Sequence, residues 1–101
     1  MDTDQLFEQA RARFDHAAAR RVLKEKYEAR MVFGWNGGMF RSSPEMIVFL
    51  SLYGDQRVVV KDLYDNPVEV HAGDLCELMK LRWQEQMNAW LVEFEQINQQ
   101  R

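Results

Sequence analysis

One helical seam near the C-terminus constrains this chain most: Trp83, Met87, Trp90, Phe94 and Ile97. Their spacing of 4, 3, 4 and 3 puts all five on one stripe of an α-helix, and Leu75, Leu78, Met79 and Leu91 widen it. Aromatic side chains dominate the burial energy of a core or an interface, and two of the three tryptophans sit here. The stripe therefore needs cover. Where it is buried, losing either Trp to Ala costs roughly 3–5 kcal/mol. The spacing predicts a helix from Asp74 to about Gln99, capped by Asp74 after Gly73, with Glu77 completing a capping box.

A second long helix is predicted over residues 3–30. Phe7, Ala10, Phe14, Ala18 and Val22 recur every three or four residues, with Leu6, Ala17, Leu23 and Tyr27 beside them. No Gly or Pro interrupts the run before Gly34. Asp2, Thr3 or Asp4 can accept a backbone N–H of the first turn. The run Ala17-Ala18-Ala19 is small enough for another element to approach closely.

Between residues 31 and 71 the period shortens. Asn36-Gly37 favours the two positive-φ positions of a type I′ hairpin turn. MIVFLSLY (46–53), RVVVKDL (57–63) and Val68-Glu69-Val70-His71 read as three antiparallel strands, with Tyr64-Asp65-Asn66-Pro67 as a turn. Ser43-Pro44-Glu45 is also a good helix start, but β-branched and aromatic residues dominate 46–53, and a strand is expected there. The expected fold is a single α+β domain, 1–101: a long N-terminal helix, a central antiparallel β-meander of three to five short strands, and a long C-terminal helix packed antiparallel to the first.

Lengths then matter. Each helix is about 40 Å long at 1.5 Å per residue, whereas a seven-residue strand spans about 23 Å. Both helices should overhang the sheet by roughly three turns. Antiparallel packing would gather Leu6, Phe7, Ala10 and Phe14 from one overhang with Trp90, Phe94 and Ile97 from the other, and the expected interface comprises Leu6, Phe7, Phe14, Met87, Trp90, Phe94 and Ile97. Two helices alone leave apolar flank exposed on stripes this wide, unless they fold back across the sheet. A second copy, with a dimer favoured, or a partner protein's helix would cover them.

The chemistry is sparse. His16 and His71 stand in no metal-ligand spacing, and Asp62, Asp65 and Asn66 suit turns better than a calcium loop. His71, Asp74 and Cys76 are neighbours, yet a Cys at a helix start is usually a small buried side chain. We expect no catalytic role, no metal and no cofactor. Trp35, Asn36, Gly37 and Gly38 lack the Lys-Ser/Thr of a phosphate loop but could form a contact loop. Residues 11–30 hold seven bases against Asp15, Glu25 and Glu28, a local net of +4 in a chain of net −3. Phosphate contacts through Arg13, Arg20, Arg21 and Lys24 are the functional reading of that segment. A solvated face, partly paired with Glu77, Glu85, Glu93 and Glu95 of the last helix, is the structural one.

The single Cys76 excludes an internal disulfide, the N-terminal residues carry no signal-peptide pattern, and no apolar run approaches membrane-spanning length. A cytoplasmic protein with no membrane partner is expected. In general character the short, Trp-rich acidic chain suits a phage accessory or virion-associated protein, although no motif carries that impression. The favoured function is a non-catalytic interaction or assembly protein acting through helix-mediated self-association or partner binding. The alternative is a small nucleic-acid-binding regulator using the basic helix.

Overall fold

A computed structural model describes residues 2–99. The order is α1 (Thr3–Arg30), β1 (Val32–Trp35), β2 (Gly38–Arg41), α2 (Pro44–Ser51), β3 (Arg57–Lys61), β4 (Pro67–His71) and α3 (Ala72–Gln99). This is the expected α+β architecture, with the two long helices packed against each other. The chain is a rod of 65 × 23 × 19 Å with a radius of gyration of 19.3 Å. A compact chain of this length has a radius of gyration of about 13 Å.

The four strands form two separate hairpins. In the first, Asn36 (φ 48°) and Gly37 (φ 81°) occupy the two positive-φ positions of the tight turn, so Trp35 pairs with Gly38 and Phe33 with Phe40. In the second, Val58 pairs with Val70 and Val60 with Val68, which sends these four valines inward and Val59 and Glu69 outward. The meander is interrupted because residues 44–51 are helical. The expected strand at 46–53 is thus corrected. Ser43 Oγ accepts the Met46 N–H at 3.2 Å and Pro44 opens the helix, and these local signals outweigh β-propensity. Helical period then turns Met46, Ile47 and Leu50 inward, leaving Val48, Phe49 and Leu52 exposed.

The head's core comprises Phe33, Phe40, Leu50, Val60, Val70, Ala72, Leu75, Cys76 and Met79. From α3 it takes the first two turns; the seam farther along, from Trp83 to Ile97, is only half-buried. The start of α3 also differs from expectation. β4 runs straight into Ala72, whose N–H donates to the Gln56 carbonyl at 2.9 Å. The His71 Nδ1, not a capping box, takes up the Asp74 N–H at 3.2 Å, while Glu77 pairs with Lys80.

One buried carboxylate ties the hairpins together. Asp62 accepts N–H groups from Asn66 at 2.9 Å, Tyr64 at 3.0 Å and Met39 at 3.1 Å. Gly38 lies so close beside it that a Cβ there would sit 2.9 Å from Val68 Cγ2 and 3.3 Å from Asp62 Cβ. The N–H bonds from Asn66 and Met39 hold the Asp62 carboxyl below its ordinary pKa, against the opposing effect of burial. A carboxylate lowered on folding adds stability above its unfolded pKa, and that contribution is lost as pH falls through the folded value. Asp62→Asn should therefore lower the melting temperature at neutral pH. The gap from wild type should narrow below about pH 4, as thermal melts followed by circular dichroism will show.

Candidate interaction surface

Arg30 to Ala18 on α1 lies alongside Arg82 to Ile97 on α3, running in opposite directions. Tyr27 stacks on Trp90 with ring centroids 6.0 Å apart and an interplanar angle of 7°. Lys26 Nζ reaches both Glu93 oxygens, at 2.9 and 3.0 Å, and Arg82 Nη1 meets the Arg30 carbonyl at 3.5 Å. The Tyr27 hydroxyl and then Lys26 hold the Glu93 carboxyl below its ordinary pKa. Glu93 in turn raises the Tyr27 phenol. Lys26 and Arg30 also sit over the Tyr27 ring, at 5.2 and 5.3 Å.

This register decides which apolar residues meet. Ile97 lies across from Ala18, Ala19 and Val22, and these residues, with Leu23, Lys26 and Glu93, line a shallow apolar trough between the helices. The described part of α3 ends at Gln99, abreast of that point. The gathering of Leu6, Phe7 and Phe14 with Met87, Trp90, Phe94 and Ile97 is therefore not formed within one chain. Instead residues 3–15 of α1 project as an arm of about 20 Å, and every residue from Asp2 to Asp15 is exposed. Leu6 is 54%, Phe7 68% and Phe14 70% exposed. Met87, Trp90, Phe94 and Ile97 are half-buried along the body.

The apolar stripe of α1 thus splits into two faces. Leu23 and Tyr27, which are buried, face α3. Phe7, Phe14, Ala18 and Val22 lie on the flank, at 100° per residue, and run from the arm into the wall of the trough. Sequence periodicity merged these faces because a helix with apolar residues on both sides of a stripe gives one broad signal. A second exposed patch, Val48, Phe49 and Leu52, was hidden by reading α2 as a strand; Ser43-Pro44 was the signal that could have revealed it.

The remaining candidates are dispersed. Trp35 packs half-buried against the head core and Gly38 is buried, leaving only Asn36 and Gly37 of the proposed contact loop exposed. Arg13, Arg20 and Lys24 share a stripe of α1, whereas Arg21 is turned away from it. Lys24 pairs with Glu28 at 3.8 Å. Of the four acids expected to face the basic segment, Glu93 does so. Among the described residues no cluster of three metal-ligating side chains occurs, and no helix is long and apolar enough to cross a membrane. Compared with known proteins, the chain matches no family model, no curated protein and no solved structure.

Body and arm should respond differently to mutation. At dilutions where the chain is not associated, Trp90→Ala should cost about 2 kcal/mol, since a half-buried ring loses part of the usual truncation penalty. Phe14→Ala should stay within about 0.5 kcal/mol, as an exposed site does. Urea denaturation of the two variants checks both values.

Proposed function

We propose that this chain is a non-catalytic assembly protein that works by self-association through the projecting half of α1. The observation that carries the reading is the arm itself. Two phenylalanines and a leucine stand exposed on a helix that nothing else in the chain covers among the described residues. Such side chains gain roughly 1.5–3 kcal/mol each on burial, and none of the described residues of the same chain covers them. The surface area points the same way. At 7388 Å² it exceeds by about 1,400 Å² the roughly 6,000 Å² of a compact monomer of this mass. A standard interface takes about 800 Å² from each partner. We place this assembly in the cytoplasm, in keeping with a single free, buried Cys76.

The nucleic-acid reading, with Arg13, Arg20, Arg21 and Lys24 as phosphate contacts, has less behind it. The acids Asp15, Glu25 and Glu28 interleave the bases, and the chain is net negative. Light scattering at micromolar concentration should report a dimer or larger species. Phe7→Asp with Phe14→Asp should return it to the 12.0 kDa monomer without changing the fold of the head. A wild-type chain that is strictly monomeric at those concentrations overturns the proposal.

A further inference from the structure

The arm and the trough are complementary in length and in shape, and the two halves of α1 differ in charge, although they lie at different places on the same chain. The arm, residues 3–15, is about 20 Å long; the body of α1 from Ala18 to Arg30 is the same length at 1.5 Å per residue. The arm offers large apolar side chains, Phe7 and Phe14, while the trough offers small ones, Ala18 and Ala19, with Val22 and Ile97 at its edges. The arm carries Asp4, Glu8 and Asp15 against Arg11 and Arg13, a net of −1 with the acids toward its tip, whereas residues 18–30 carry Arg20, Arg21, Lys24, Lys26 and Arg30 against Glu25 and Glu28, a net of +3.

We infer that the partner of the arm is a second copy of this chain in antiparallel orientation, each arm lying as a third helix along the other copy's α1–α3 trough. This rests on the self-association proposed above and specifies its geometry. A two-fold axis crossing α1 near Asp15 places each arm over the other body at once, so the contact is isologous and closes at two copies. Antiparallel pairing sets the acidic end of each α1 on the basic stretch of its neighbour. Parallel pairing would set acid on acid and base on base, and like-charge juxtaposition selects against it. The small side chains of Ala18 and Ala19 let the incoming helix approach, and Phe7 and Phe14 fill the space they leave. Because both α1 helices overlap along their whole length, the heads lie at opposite ends of a particle about 90 Å long.

Exchanging side-chain sizes between arm and trough tests this. One variant carries Phe7→Ala and Phe14→Ala; the other carries Ala18→Phe and Ala19→Phe. Alone, each should associate at least about tenfold more weakly than wild type, because the first lacks the side chains that fill the trough and the second has a trough already filled. Mixed in equal amounts, the two should recover most of the wild-type affinity, since one contact then seats a truncated arm on a filled trough and the other is the wild-type contact. Spin labels on Val59→Cys in a Cys76→Ser background should lie far apart across the dimer, one at each end of the particle. A wild-type dimer whose variants associate unchanged, or whose labels lie close together, overturns the antiparallel geometry while leaving self-association standing. A wild type that never associates overturns both.

Discussion

The contact between Tyr27 and Trp90, clamped by Lys26 and Glu93, fixes how far α1 slides along α3. Everything distinctive about the molecule follows from that register. A flat aromatic stack is only weakly selective for position along a helix, because offset arrangements are close in energy. The ion pair adds to the preference for this register, because here the Lys26 ammonium meets both Glu93 oxygens, although an exposed pair contributes modestly. Part of the arrangement is charge-assisted: Glu93 also takes the Tyr27 hydroxyl, which keeps it ionised to lower pH than an unpartnered glutamate. With the register set, the end of the described α3 falls beside Ala18 and Ala19, and none of the described residues packs along the first half of α1.

The head, by contrast, covers itself. Two hairpins, α2 and the first turns of α3 enclose a core that α1 scarcely enters, and Asp62 satisfies three backbone donors where the hairpins meet. A buried carboxylate with this many partners restricts geometry more than it adds net stability, because its desolvation offsets much of the gain. Its effect is to set one hairpin on the other, with Gly38 allowing the close approach. The head thereby presents a firm base from which the helical pair projects.

Much of this was legible in the sequence. Both long helices and the Asn36-Gly37 turn follow from periodicity and φ requirements, and Asp62, Asp65 and Asn66 are indeed turn formers. Residues 46–53 were misread because an unbroken apolar run carries no period, so composition decided where the Ser43-Pro44 cap should have. The helical seam was found, but its depth was not: burial depends on which face α1 covers, and neither the register nor the split of α1 into two apolar faces can be read from one strand of residues. Consequently Phe14 and Trp90 were expected on the same surface, whereas they lie about 20 Å apart along the rod.

Amide hydrogen exchange across residues 4–15 at varying protein concentration tests most directly the proposal that a second copy covers the arm. A solvated helical end opens readily, whereas one packed in a trough exchanges slowly. A covered arm should exchange slowly in concentrated solution and faster on dilution, with the amides around Tyr27 and Met79 unchanged. Arm amides exchanging at one fast rate at every concentration would contradict it.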